Sequence, residues 1–357
     1  MILHKQYFND LILRPIIAST FGLLVGGLFI LLTGNNPLYA LRILISSGFG
    51  CQGGNHCAFL TTLQYATPLI LLGLSAAVAF RADFFSIGQA GQMVLGAAAA
   101  NWAANNFLLI ERVHPIISLS FSALAGLIFA LLPAGLKVFL NINEIISTII
   151  LNSIAIFLLG FIPSGYGRRI PVSTRLISLA EGTKLNSGLF IALGITALVM
   201  IYLWRSVSGY EIRMSGQNKL FANAGGIKTN QSIFKAMMLS GALAGIAGGI
   251  EVLGVHYRFV QNFTGSDLFD GVMVALIGFC HPIAIVISAV LLGGVRLAAM
   301  TGLSIQLGIP REIGGMIIAT MVIIMGSDGL YLVLKNHLKR LYYPLRTYFL
   351  SKKRAEN

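Results

Sequence analysis

Residues 84–92 read Phe-Phe-Ser-Ile-Gly-Gln-Ala-Gly-Gln, which sets the hydroxyl of Ser86 and the amides of Gln89 and Gln92 in one short run. Amides donate and accept hydrogen bonds at once, so the trio could line a polar cavity on a substrate path. A second polar run holds Asn143, Glu144 and Asn152. On a helix these fall on nearly the same face and would line an interior path. Capping by Asn143 and Glu144 is the plainer alternative. A chain break at 84–92 beside a polar cavity is expected, with a simple polar cap as its alternative. No paired carboxylates, nucleophile with base, or Cys/His ligand spacing occurs, so neither catalytic residues nor a metal site is expected. The chain also lacks a G-x-x-x-x-G-K-[ST] phosphate cradle and any Gly-Lys dipeptide. Any ATP chemistry would therefore belong to another chain.

These polar residues sit in a very apolar background. Of 357 residues 56% are hydrophobic and 10% charged, against roughly 25% charged in soluble domains. Mean hydropathy is +0.82. A soluble domain is excluded, and the expected class is an all-α, polytopic protein of the lipid membrane, one transmembrane domain over residues 1–357. About ten spans are predicted, near residues 16–33, 64–82, 86–104, 116–137, 144–162, 187–205, 233–254, 268–281, 283–300 and 313–331. The eighth and ninth, separated by His281 and Pro282, would form a broken or re-entrant hairpin if neither spans fully. Twenty-five Lys and Arg against 12 Asp and Glu give a net charge of +13. The basic tail 335–357 and the loop 206–231 are placed in the cytoplasm, together with the N-terminus. The loop 163–187, with Arg168, Arg169, Arg175 and Lys184, runs against that rule on the outside.

Cys51 and Cys57 fall in the expected outer loop between the first two spans, where they either pair in an oxidising compartment or stay free. Forty glycines, about 11% against roughly 7% on average, cluster in spans and point to close helix contacts. Arg81 and Asp83 are expected to form a local ion pair. In the loop 206–231, Ser215 would cap a short amphipathic helix carrying Leu220, Ala224 and Ile227, stopped by Gly225 and Gly226. Such a helix would dock on a partner or lie on the membrane surface.

Four stretches together resemble the permease subunits of bacterial ABC importers for nucleosides and simple sugars, relatives of the ribose and branched-chain amino acid permeases. They are 67–96 with its Ser-Ile-Gly-Gln-Ala-Gly-Gln run, 143–152, the series Gly209, Arg213, Gly216, Ala222, Gly225, Gly226 and Ile227 leading into 240–245, and 271–282 ending in His-Pro. Ser86 and Ala90 stand where the family usually has Asn and Glu, and Phe279 and Cys280 where it has small or polar residues. The resemblance implies a type II importer fold and alternating access in a pair of identical or related permeases in the bacterial inner membrane. It further implies two ATPase subunits that hold ATP and Mg, and an extracytoplasmic substrate-binding protein. Arg213, Gly216, Leu220, Ala222, Gly225 and Gly226 would form the coupling segment to the ATPases. Nucleic acid is not an implied partner. A branched-chain amino acid permease, a secondary transporter and a membrane enzyme are the alternatives. The scarcity of acids within spans weighs against the second, and the missing catalytic cluster against the third.

Overall fold

The computed structural model describes residues 2–327 except 52–56, 108–109, 111–112, 161–167, 181, 261–268 and 311, together with 329 and 333, with side chains from Ile17 onward. The basic tail 335–357 lies outside the described residues. In chain order the helices are α1 (Ile2–Leu32), α2 (Pro37–Phe49), α3 (Ala58–Phe80), α4 (Gln89–Asn106), α5 (His114–Leu140), α6 (Glu144–Gly160), α7 (Gly188–Arg205), α8 (Val207–Gln217), α9 (Lys219–Ala224), α10 (Thr229–Glu251), α11 (Asp270–Ile277), α12 (Pro282–Leu297), α13 (Ser304–Leu307) and α14 (Glu312–Gly326). A π-helical turn, Val252–His256, extends α10, and another, Ala298–Leu303, joins α12 to α13.

Five helical stretches among the described residues are long and apolar enough to cross a membrane: Ala58–Phe80, His114–Leu140, Gly188–Arg205, Thr229–His256 and Pro282–Leu307. The apolar stretches Ile17–Leu32, Pro37–Phe49, Glu144–Gly160 and Glu312–Gly326 are shorter. α3 and α10 form the interior of the bundle and are mostly buried, whereas α5 and α7 turn most of their surface outward. Ser75 and Ser240 join the two inner helices through a 2.9 Å hydrogen bond. Backbone contact is closest where α10 crosses α4 and α5. There a Cβ on Gly96 would lie 2.5 Å from Gly245 Cα, Gly126 and Gly241 face each other, and Gly248 abuts the Met93 carbonyl. Small residues substitute here for the hydrophobic drive that lipid does not supply.

The helices depart from the sequence reading at several places. The expected outer loop after the first span contains α2, capped by Asn36, whose side chain accepts from Leu38 N at 3.0 Å, with Pro37 at its first turn. Thirteen residues interrupted by Arg42 fall below the length of a span, which hid the helix. The helix at the expected third span, α4, begins at Gln89, not 86, because residues 84–88 are non-helical, and its many Gln, Asn and Ala residues leave it outside the stretches apolar enough to cross a membrane. The eighth span shrinks to α11, whose eight residues reach about 12 Å. It ends at Gly278, followed by left-handed Phe279 and Cys280. The described part of the loop 163–187 packs against the end of α10, through Ile170 N to Tyr257 O and Leu176 N to Leu253 O, each 3.0 Å. Arg175 stacks on Tyr257 at 4.7 Å. Cys51 and Cys57 are joined by a disulfide.

Candidate functional site

The chain leaves α3 at Phe80 and enters α4 at Gln89, and the residues between are held by side chains of α6. Asn152 makes the main latch: its Oδ1 accepts from Gly91 N at 2.8 Å and its Nδ2 donates to Ile87 O at 2.6 Å. Thr148 Oγ1 accepts from Ile87 N at 3.2 Å. Ser86 Oγ accepts from Gly88 N at 3.2 Å, and Gln89 Nε2 donates to Ser86 O at 3.1 Å. Position 91 has no room for a side chain, since a Cβ there would lie 2.8 Å from Asn152 Oδ1 and 3.1 Å from its Cα. The non-helical backbone is thus paired internally, as low-dielectric surroundings demand.

Ser86, Gln89, Gln92 and Asn152 are all buried in this knot. Gln92 is fully buried, and both its amide atoms, like Oε1 of Gln89, lack a hydrogen-bond partner. Buried groups of this kind cost about 1–3 kcal/mol each when unpaired, which marks the spot as polar beyond structural need. The other two residues expected on the path lie apart. Asn143 is exposed and caps α6, accepting from Ile145 N at 2.9 Å. Glu144 pairs with Lys137 at 2.6 Å. The alternative capping reading describes the placement of Asn143.

A second cluster lies at the end of α3. The Arg81 guanidinium stands 4.7 Å from the Trp204 ring centre, Arg213 stands 5.6 Å from it, and His281 packs against the same indole at 5.3 Å. Arg81 Nε also donates to Cys280 O at 3.0 Å. Burial, and after it the Arg81 charge, lowers the His281 pKa, so the ring in this inter-helix turn is held neutral. The expected Arg81–Asp83 pair does not form: Asp83 binds Lys219 at 2.9 Å instead. Asp83 has a left-handed backbone, with φ of 56°.

That corner holds the expected coupling residues. Asn218 caps α9, its Oδ1 accepting from Phe221 N at 3.0 Å. Ser215, expected as the cap, is buried inside α8. Both residue types cap well, so local sequence does not separate them. α9 presents Leu220 (82% exposed) and Phe221 (70% exposed) outward, with Ala222 buried behind them. The stripe of Leu220, Ala224 and Ile227 therefore gives way to an adjacent pair, because the helix stops at Ala224. Gly226 is left-handed at φ +83°, whereas Gly225 is not. Gly216 packs against the Arg81 carbonyl, so α8 rests directly on the 81–83 turn. Glu211 on α8 is tied to Lys235 on α10 at 2.8 Å.

One turn thus joins the two clusters. Residues 81–83 carry the contacts of α8 and α9 on one side and lead within three residues to Ser86 on the other. Sequence reasoning missed Lys219, Trp204, Thr148 and Phe221. Lys219 and Asp83 are 136 positions apart, so no local pattern links them. The aromatic at the end of a span, Trp204, was the one available signal.

The family model described as branched-chain amino acid transport system / permease component matches residues 58–326. The chain is 32% identical over 333 residues to the guanosine ABC transporter permease protein NupP of Bacillus subtilis, covering 89% of this chain and 93% of that one. It is also 32% identical over 335 residues to the nucleoside ABC transporter permease protein NupB of Lactococcus lactis, covering 87% and 89%. Identity to the glucose ABC transporter permease protein TsgB13 of Haloferax volcanii is 25% over 333 residues, covering 87% and 86%. No solved structure matches.

Proposed function

This chain belongs to the branched-chain amino acid transport system / permease component family, and from that premise we propose that it is the membrane subunit of an ABC importer for nucleosides. Simple sugars are the second solute class, supported by the weaker likeness to a glucose permease. The stronger likeness to guanosine and nucleoside permeases favours the first. The subunit is non-catalytic and works in the bacterial inner membrane with a second permease, identical or related. ATP and Mg are held by separate ATPase subunits, and an extracytoplasmic protein delivers the solute. Both termini and the corner 206–231 face the cytoplasm.

The observation that carries this reading is the exposed Leu220–Phe221 pair on a helix anchored to the turn at Asp83. Two adjacent large apolar side chains, exposed on one short helix, fit a hydrophobic socket on another protein. Motion of an ATPase seated there passes through Lys219 and Gly216 to residues 81–83, and from them to the Ser86–Gln92 loop. Arg213 stiffens the link by stacking on Trp204, and Ala222 keeps α9 close to its support. At the loop, the unpaired Oε1 of Gln89 and the unpaired amide of Gln92 offer a donor and acceptors to a nucleobase edge or a sugar hydroxyl once access opens. Ser86 and Asn152 hold that loop in shape.

Reconstitution with the cognate ATPases and binding protein tests the assignment. ATP-dependent uptake of labelled guanosine or adenosine is expected, with ribose and glucose slower. Uptake of leucine alone would move the solute to the branched-chain amino acids, and ion-driven uptake by this chain without nucleotide would overturn the importer reading.

A further inference from the structure

α2 has two faces. Ala40, Ile43, Leu44 and Gly48 are buried, with Gly48 against the backbone of Gly294 and with Ile43 beside Gly302. The other face exposes Leu38, Tyr39, Ile45 and Phe49, and among them stands Arg42, also exposed. A groove of about 470 Å³ runs along this face, walled by Leu38, Leu41, Ile45 and Phe49, with Arg42 and Ser46 as its polar residues. The ion pairs among the described residues engage Glu144, Asp83, Glu211, Glu251 and Asp270, each with a partner other than Arg42. The Arg42 side chain has neither an ion pair nor a hydrogen bond among the described residues.

A guanidinium without a counter-charge on the apolar surface of a membrane protein is costly, and it calls for an anion within reach. Water or a free phosphate would answer the charge but leave the apolar walls uncovered. A molecule with a phosphate at one end and a hydrocarbon chain at the other meets both halves, since Arg grips phosphate oxygens through paired N–H donors. We propose that this groove binds an anionic phospholipid, its phosphate on Arg42 and one acyl chain along Leu38, Leu41, Ile45 and Phe49. The site is independent of which solute the chain carries.

The test is native mass spectrometry of the chain, purified from membranes with its accompanying subunits and exposed to equal amounts of phosphatidylglycerol and phosphatidylcholine. The wild-type chain is expected to retain phosphatidylglycerol about fivefold over phosphatidylcholine, the effect of one basic side chain at a lipid surface. Arg42→Gln should abolish that preference while leaving helicity and elution volume unchanged. Ile45→Trp, which fills the groove, should reduce retention of both lipids. Equal retention of the two lipids by wild type and Arg42→Gln would overturn the proposal. So would cross-linking of Ile45→Cys between two copies of the chain in a lipid-free preparation, which would make a second copy the occupant.

Discussion

Replacing Asn152 by Leu tests the latch between α6 and the loop before α4. The wild-type amide places one atom 2.8 Å from Gly91 N and another 2.6 Å from Ile87 O. A Leu methyl at either place needs about 3.5 Å, so the loop must move away by roughly 0.7 Å or more. Two buried backbone groups then lose their partners, at about 1–3 kcal/mol each, or about 2–6 kcal/mol together. Thermal unfolding of the purified chain should begin at a distinctly lower temperature, and solute uptake should fall with it, while co-purification with the ATPase persists because the Leu220–Phe221 pair is untouched. Asn152→Asp keeps the acceptor for Gly91 N but sets an oxygen against the Ile87 carbonyl, so it should recover part of the stability. Unchanged unfolding of Asn152→Leu would refute the latch. Lost uptake at full stability would instead place Asn152 in contact with the solute.

Leu220→Glu is expected to leave membrane insertion intact and to cut uptake at least tenfold, while the ATPases keep hydrolysing; uptake and phosphate release measured side by side decide it. Gly216→Leu should weaken the same link from behind, since its side chain would collide with the Arg81 carbonyl, and limited proteolysis of the α8–α9 corner should quicken. Gln92→Leu removes both unpaired amide atoms, so it should raise or preserve thermal stability and still depress uptake; normal uptake would take Gln92 off the solute path. Asp270→Asn breaks the buried bidentate pair with Arg296 and should cost about 3–5 kcal/mol, read as earlier thermal unfolding. Arg296→Gln should do the same.

The apolar spans were readable because each is a long run bounded by charge or proline, and α3, α5, α7, α10 and α12 all fall where such runs lie. The knot of Ser86, Gln89 and Gln92 was readable for a related reason: amides stand out in an apolar chain. What escaped was set by distant contacts. Asp83 chose Lys219 over its neighbour Arg81 because the α8–α9 corner folds back on that turn. Asn218 displaced Ser215 as a cap because Ser215 faces the packed interior. α2 escaped because thirteen residues with an arginine match neither a span nor a loop. α11 was drawn too long because hydropathy does not register the left-handed turn at Phe279 and Cys280.

The crossings of α10 with α4 and α5 have a mechanical consequence. Where Gly96 meets Gly245 and Gly126 meets Gly241, main chain touches main chain with no cushion of side chains between them. Such a seam can neither slide nor shear without losing contact along its whole length, so these three helices behave as a single strut. Any change of shape during a transport cycle must then be taken up around that strut, by elements such as α7 that turn most of their surface outward.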